Sequence, residues 1–154
     1  IARFEHVPAD VECRPVARER GVLVVPSAHP VAEKPSVSLA TLRDEPFITL
    51  PEGCGSAVRS IFTTACRTAG FAPDIVQTAP DSWTCLALVA AGVGLHFTTD
   101  AAARQMPLDG VVPVPLDDDI AIPPVLGYLV WRRGDRDPAL ARVLRISEEI
   151  LPTI

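Results

Sequence analysis

Residues 47–70 read FITLPEGCGSAVRSIFTTACRTAG, which combines a short apolar run, a loop with two glycines and a segment of helical periodicity. The apolar residues of that segment recur at i, i+3, i+4, i+7 and i+11 from Val58, so they share one face of a helix. Gly70 suits the left-handed position that commonly ends a helix, and Pro73 follows shortly after. These residues predict a strand, a loop and an amphipathic helix, in that order.

The alternation of strand and helix continues toward the C-terminus. Strands are predicted at residues 74–77, 94–98 and 111–114, and helices at residues 82–91 and 100–105. The first of these helices is capped by Asp81 or Ser82, and we expect it to be deeply buried because apolar residues surround it. Such alternation is typical of an α/β fold with parallel strands, right-handed crossovers and helices on both faces of the sheet.

Shorter patterns predict the regions on either side of this unit. Residues 12–26 contain the β-branched runs VECRPV and GVLVVP around a polar hinge, which predicts an antiparallel strand pair. Residues 125–131 predict a further strand, and Asp137 and Pro138 then supply an N-cap and a first-turn proline for a final helix. One face of that helix is predicted to carry Leu140, Val143, Leu144 and Leu151.

Composition and charge limit the classes of function. The chain has 154 residues, of which 48% are hydrophobic and 21% charged, enough apolar material for the core of one domain or two small lobes. No apolar run reaches the roughly 18 residues that a membrane span requires. The net charge of −5 argues against nucleic acid binding by this segment, since phosphate contacts need a basic surface.

The four cysteines point away from metal chemistry. Cys13, Cys54, Cys66 and Cys85 form no CxxC pair and have no histidine at metal-ligand spacing. We therefore expect no metal and no cofactor. An even number of cysteines allows two disulfides, but so apolar a chain does not need them, and we favour reduced thiols in a cytoplasmic protein.

Short motifs follow one another between residues 13 and 146. They are VVP at 24–26, AHPVA at 28–32, LATLRDEPFI at 39–48, AGFAP at 69–73, LVAAGVG at 88–94 and YLVWRR at 128–133. Taken in this order, the motifs resemble those of the effector-binding domain of LysR-type transcriptional regulators. The resemblance covers almost the whole chain and implies that a small effector binds without catalysis.

The resemblance implies a two-lobed α/β fold like that of type 2 periplasmic solute-binding proteins, in which the chain crosses between lobes near residues 26–27 and 124–127. Lobe II would be complete and comprise residues 27–126, and lobe I would be partial, formed by residues 1–26 and 127–154. The amino-terminal helix-turn-helix would lie outside this chain. The family also implies a cytoplasmic homodimer or tetramer that contacts DNA only through that absent domain and does not associate with a membrane.

The loop after the first strand of the α/β unit is the leading candidate site. In such sheets, ligands bind beyond the carboxyl ends of strands, where helix N-termini converge. Glycines in this loop allow the backbone to approach a ligand closely. We therefore expect an anionic effector, such as a carboxylate, to bind Pro51, Gly53, Cys54, Gly55 and Ser56. The alternative is that the glycines only form a tight turn.

Two later segments are also predicted to face the effector. Asp81, Ser82 and Trp83 open a helix, so Asp81 is either an effector contact or only an N-cap, and Trp83 either lines the cleft or packs between lobes. His96 and Thr98 lie on the next strand. His96 is either a ligand contact or pH sensor, or a hydrogen-bonded histidine of the core.

A last candidate contact is Arg3, which aligns with a family position at which lobe I faces the cleft. Its guanidinium could pair bidentately with a carboxylate. The alternative is an arginine that only faces solvent.

Two other functions remain open from the sequence. Cys54 lies at a strand-loop-helix junction flanked by glycines, as in a nucleophile elbow, and a helix N-terminus favours a thiolate. A cysteine hydrolase or amidotransferase with His96 as the base is one alternative. The other is a free-standing periplasmic solute-binding protein, which shares the fold and differs in what precedes Ile1.

Overall fold

A computed structural model of the chain describes residues 1–54, 56–117 and 121–151. Within them the strands are β1 (Val11–Glu19), β2 (Gly21–Pro26), β3 (Pro46–Thr49), β4 (Asp74–Thr78), β5 (Leu95–Thr99), β6 (Val111–Pro115) and β7 (Val125–Arg132). The α-helices are α1 (Ala57–Thr68), α2 (Ser82–Ala90), α3 (Asp100–Gln105) and α4 (Pro138–Ile150), and a 3-10 turn spans Leu39–Leu42. The predicted alternation of strand and helix after β3 is confirmed.

The strands form two sheets. A five-stranded sheet has the order β4-β3-β5-β2-β6, and β1 pairs with β7 in a separate two-stranded sheet. Strand β3 is parallel to β4 and β5, as the alternation predicts. Strand β2 is antiparallel to both of its neighbours, β5 and β6, so the sheet is mixed and not wholly parallel.

The predicted antiparallel pair within residues 12–26 is wrong. Strand β1 pairs with β7, from Val11 opposite Arg132 to Glu19 opposite Val125, while β2 pairs with β5 and β6. A single residue, Arg20, separates β1 from β2, which is too short for a hairpin turn. The continuous apolar run of β2 suits a strand that is covered on both faces. Sheet membership therefore groups residues 21–26 with the later strands, so the chain leaves the two-stranded sheet at Arg20, before the boundary expected at Pro26.

Two apolar clusters cover opposite faces of the five-stranded sheet. On the α1 side, the ring of Phe62 lies 5.0 Å from that of Phe47 and 5.4 Å from that of Phe97. On the α2 side, Ile48 packs with the buried residues of that helix, which are Cys85, Leu86 and Val89. Alternate residues of a strand face opposite sides of a sheet, so β2 and β3 contribute to both clusters.

The predicted helix ends are confirmed where the caps are local. Gly70 follows α1 with a φ of 86°, and the Asp81 carboxylate caps α2 by accepting a hydrogen bond from the Thr84 amide at 2.9 Å. The expected deep burial of α2 is wrong. Helix α2 buries only the face with Cys85, Leu86 and Val89, and Trp83 is 52% exposed. On α4 the buried residue is Ser147, and Val143, on the predicted apolar face, is 56% exposed.

Candidate functional site

A cavity of about 400 Å³, which we call the central cleft, lies between the first residues of the chain and the N-terminal ends of α1, α2 and α3. The residues around it come from four parts of the chain. They are Ala2, Arg3 and Phe4; Leu50, Cys54, Ser56 and Val58; Pro80, Asp81 and Ser82; and Thr98, Thr99 and Ala102. Among the predicted contacts, Arg3, Cys54, Ser56, Asp81, Ser82 and Thr98 are thus brought together.

The helix ends converge because of the sheet topology. Helices α1, α2 and α3 follow β3, β4 and β5, whose parallel direction brings the carboxyl ends of these strands to one edge. Each helix is capped by a side chain that lines the cleft: Ser56 accepts from the Val58 amide, Asp81 from Thr84 and Thr99 from Ala102. The N-terminal ends of α1 and α2 carry partial positive charge, which favours an anionic group in the cleft.

The first residues of the chain form the other wall of the cleft. The backbone of Ala2 exchanges two hydrogen bonds with Tyr128 of β7, at 2.9 and 2.8 Å. Phe4 forms an antiparallel bridge with Ser56, and the carbonyl of Arg3 accepts from the Ala57 amide at 3.1 Å. This segment therefore connects the two-stranded sheet to the start of α1, and it uses one amide that a ligand would otherwise find free.

Arg3 is oriented by a carboxylate from the end of β1. Its Nε donates to Glu19 Oε2 at 2.9 Å and its Nη2 to Oε1 at 2.7 Å. The Glu19 side chain is only 8% exposed, whereas that of Arg3 is 29% exposed. Among the described residues Nη1 of Arg3 has no hydrogen-bond partner, so one edge of the guanidinium is held and the other can bind an anion.

The glycine-rich loop divides its residues between two cavities. Pro51 and Gly53 line a neighbouring cavity of about 370 Å³, and Cys54 and Ser56 line both. Gly53 has a φ of 71°, a left-handed conformation that favours glycine, so it is required for the turn itself. Gly55 lies outside the described residues.

Two further predicted contacts, Trp83 and His96, do not line the central cleft. Trp83 is half exposed on α2 and is not among the described residues that line the cleft. His96 is 2% exposed, and its Nδ1 lies 2.9 Å from the carbonyl oxygen of Ile48. A carbonyl only accepts, so Nδ1 carries the proton and Nε2 is a bare acceptor, which has no partner among the described residues. Burial lowers the pKa of His96 and keeps it neutral.

The arrangement does not support a Cys54 nucleophile with His96 as its base. Cys54 is exposed, while His96 is buried with Nδ1 bound to Ile48 and Nε2 shielded from solvent.

All four cysteines are free thiols, and burial raises the pKa of Cys66 and of Cys85 to about 12. Within the described ranges, no group of three or more histidine, cysteine, aspartate or glutamate side chains could hold a metal ion.

The sequence analysis missed some residues that line the cleft, and it missed Glu19, which orients Arg3. Thr99 could have been found, because a threonine before a predicted helix at residues 100–105 is a favoured N-cap. Glu19 carried no local signal, since its pairing with Arg3 joins two segments that are separate in sequence. Ala2, Phe4 and Val58 enter the cleft only through the backbone contacts between the first residues and α1.

Comparison with known proteins identifies the family. Residues 1–150 match the LysR substrate binding domain, so the chain belongs to this family. It is 36% identical over 141 residues to the HTH-type transcriptional regulator ShiR of Corynebacterium glutamicum (strain R), covering 92% of this chain and 47% of ShiR. It is 32% identical over 126 residues to the HTH-type transcriptional regulator AlsR of Bacillus subtilis (strain 168), covering 82% of this chain and 41% of AlsR. The chain therefore spans less than half of each relative.

Solved structures show the same fold. The effector-binding domain of QuiR in complex with shikimate superposes with a TM-score of 0.78 at 18% identity, covering 97% of this chain and 68% of that domain. The α/β fold of LysR effector-binding domains, like type 2 periplasmic binding proteins, is thereby confirmed. The relatives are named as transcriptional regulators and not as enzymes, in agreement with the prediction of a non-catalytic domain. No helix in the described part of the chain is both long and apolar enough to cross a membrane.

Proposed function

We propose that this chain is the effector-sensing domain of a LysR-type, DNA-binding transcriptional regulator, and that the central cleft binds a small organic carboxylate. The observation that carries the proposal is the free edge of Arg3, which lines a cleft at which the N-terminal ends of α1 and α2 converge. A guanidinium edge and the N-terminal end of α1 are suitable partners for a carboxylate, whereas the end of α2 already carries the Asp81 carboxylate. The hydroxyls of Ser56, Ser82 and Thr98 add neutral hydrogen-bonding groups around it.

The charge of Asp81 sets the orientation of such a ligand. Hydrogen bonds from the amide and hydroxyl of Thr84 lower the pKa of Asp81, so it is ionised at neutral pH. A ligand carboxylate would therefore bind toward Arg3 and away from Asp81, with hydroxyl or apolar groups near α2. The fold neighbour QuiR was solved with shikimate, which combines a carboxylate with hydroxyl groups.

Isothermal titration calorimetry with a panel of small carboxylates, including shikimate, and their neutral amides tests the ligand class. We expect at least one carboxylate to bind and its amide to bind at least about tenfold more weakly. The Arg3→Lys variant keeps the charge but loses the planar fork, and it should weaken binding by a similar factor. Arg136→Gln removes an exposed arginine of the turn before α4 and serves as the control. Binding of amides as tight as that of the acids would contradict the proposal.

The assembly and compartment belong to the same proposal. The regulator would act in the cytoplasm as a homodimer or tetramer and contact DNA through a helix-turn-helix domain outside this chain. The two sheets would form two lobes, with residues 21–117 in one and residues 1–20 and 125–151 in the other. Ligand binding would change the lobe or dimer geometry and so the DNA-binding arms. Sedimentation equilibrium of the full regulator tests the assembly, and a monomer at all concentrations would contradict it.

A further inference from the structure

Arg20 is the single residue between β1 and β2, so it connects the two-stranded sheet to the five-stranded sheet. Arg20 is exposed, but both hydrogen-bonding groups of its backbone contact Asp100. The Arg20 carbonyl accepts from the Asp100 amide at 2.8 Å, and the Arg20 amide donates to Asp100 Oδ1 at 3.1 Å. Asp100 therefore holds this connection by two bonds to one residue.

The carboxylate of Asp100 replaces a backbone acceptor at this position. Strands β2 and β5 are antiparallel, with Gly21 opposite Thr99, so Arg20 and Asp100 are the next pair along the ladder. In such a ladder, the two residues of a hydrogen-bonded pair exchange two backbone hydrogen bonds. Asp100 is already the first residue of α3, so its side chain accepts from the Arg20 amide where a strand carbonyl would otherwise do so.

Two further contacts fix the Asp100 carboxylate. Oδ1 also accepts from the Ala101 amide at 2.9 Å, and Oδ2 pairs with Arg104 at 3.0 Å. The Arg104 side chain is 70% exposed and that of Asp100 is 30% exposed, so solvent screens this ion pair. The acceptor at Oδ1, rather than the charge, is therefore the part of Asp100 that matters for Arg20.

The residues on either side of Arg20 connect it to the central cleft. Gly21 pairs with Thr99, which lines the cleft, and a Cβ added at Gly21 would lie 2.4 Å from Cζ of Phe97, so the start of β2 lies tightly against β5. Glu19 binds Arg3 and is the last residue of β1. The direction of the chain from Gly21 back to Glu19 thus depends on how Arg20 is held.

We propose that Asp100 is a positioning residue of the effector site: by holding Arg20 it fixes the place of Glu19, which presents the free edge of Arg3 to the ligand. This inference rests on the proposed binding of a carboxylate at Arg3. Asp100 is not among the described residues that line the cleft, so its effect on binding is indirect. A guanidinium that is already held in place loses less freedom when a ligand binds, which strengthens binding.

Three variants separate this role from the charge of Asp100. Asp100→Ala removes the acceptor for the Arg20 amide. Asp100→Asn keeps an oxygen acceptor and removes the charge, and Arg104→Gln removes the ion pair alone. Only Asp100→Ala should disturb Arg3.

Water exchange of the Arg3 Nε–H, followed in ¹⁵N NMR spectra without any ligand, reports on Arg3 directly, because this group donates to Glu19 Oε2. We expect Asp100→Ala to accelerate the exchange at least about fivefold, and the other two variants to stay within about twofold of the wild type. Nε–H of Arg133 is the internal reference, since it donates to the Ala9 carbonyl at 2.8 Å at the opposite end of the two-stranded sheet. Equal acceleration at Arg3 and Arg133 would indicate a general loss of stability and overturn the proposal.

Calorimetry with the panel of small carboxylates, including shikimate, measures the consequence for binding. For a carboxylate that binds the wild type, Asp100→Ala should weaken binding about three- to tenfold, and Asp100→Asn and Arg104→Gln should change it less than about twofold. If no carboxylate binds the wild type, the proposed function fails, while the exchange of Arg3 still decides whether Asp100 positions it. The positioning role is overturned if Asp100→Ala leaves either the Arg3 exchange or the affinity of a bound carboxylate unchanged, or if Asp100→Asn has as large an effect.

Discussion

Arg3 and Glu19 form a bidentate ion pair, with Nε–Oε2 and Nη2–Oε1 distances of 2.9 and 2.7 Å, that joins the first residues of the chain to the end of β1. The glutamate is the more buried partner, at 8% side-chain exposure against 29%. Because of this difference in exposure, the two residues should differ in how much their loss destabilises the chain. Removing the arginine leaves a charge in a poorly solvated place, whereas removing the glutamate leaves a charge that water can reach.

The first prediction concerns the stability of this pair. Arg3→Gln should lower the free energy of unfolding by about 2–4 kcal/mol and Glu19→Gln by about 1–2 kcal/mol, because only the first leaves a buried carboxylate unpaired. The double variant should lose less than the sum of the two. Urea unfolding of all four chains measures the coupling. Strict additivity, or a larger loss for Glu19→Gln, would show that the pair does not act as described.

The second prediction is a pH dependence caused by His96. Burial lowers the pKa of His96 in the folded chain, while the unfolded chain keeps the ordinary value of about 6.5. Below that value the unfolded state takes up a proton that the folded state resists, so stability is greatest above pH 6.5 and falls as the pH falls. Urea unfolding between about pH 5 and pH 8 should show this slope.

Two variants test whether His96 causes this pH dependence of stability. His96→Gln keeps an amide that can donate to the Ile48 carbonyl but cannot titrate, so its stability should vary much less over the same range. His6→Asn changes an exposed histidine and should retain the wild-type slope. If His96→Gln keeps the full slope, the buried imidazole is not its source.

The third prediction concerns a close approach between β3 and β5. A Cβ added at Gly94 would lie 2.7 Å from the carbonyl oxygen of Pro46, a backbone atom at the start of β3. Gly94→Ala should therefore destabilise the chain by about 1–3 kcal/mol, since a paired strand must shift. Gly134→Ala is the comparison, because that position has open space but a φ of 73°. It should cost about 1–2 kcal/mol from the backbone alone.

Chemical denaturation of both glycine variants provides the measurement. A Gly94→Ala chain as stable as the wild type would mean that the start of β3 can move away at no cost. In that case the pairing of Phe47 with Leu95 would not fix the spacing of the two strands.

The fourth prediction concerns thiol reactivity. Cys54 is exposed and should react with iodoacetamide in the native chain, whereas Cys66 and Cys85 are buried with pKa values of about 12 and should react only after unfolding. Cys13 is partly buried and should be intermediate. Mass spectrometry of native and urea-treated samples gives the order. Turnover of an amide or ester substrate that is lost in Cys54→Ser would contradict a purely binding role for this cleft.

Features that depend on short-range sequence were predictable. Helical periodicity from Val58 and the glycine at its end located α1, and Asp81 was one of the two residues predicted to cap α2, because capping joins residues only a few positions apart. The partner of β1 was not predictable in this way. Val11 pairs with Arg132 at the far end of the chain, and no local pattern reports such a distant partner. The polar hinge near Arg20 therefore suggested a hairpin that the fold does not contain.

The same limit applies to the site. The prediction placed three residues near the cleft: Arg3 because it aligns with a family position, Ser56 because its loop follows a strand, and Thr98 because it ends one. All three line the cleft. His96 and Thr98 share one face of β5, but only Thr98 lies near the carboxyl end, where the cleft opens. His96 lies farther back, opposite Ile48, where the strand is covered. Its place depends on how far the helices extend over the sheet, which the sequence of one strand does not reveal.

The pairing of β1 with β7 also has a consequence for synthesis on the ribosome. Strand β1 is translated before the five-stranded sheet, but Val125, the partner of Glu19, is translated only after the whole of that sheet. At about 5–20 residues per second, β1 waits roughly 5–20 s without its partner strand. During that interval its backbone groups are open to pairing with other nascent chains that are translated from the same messenger RNA.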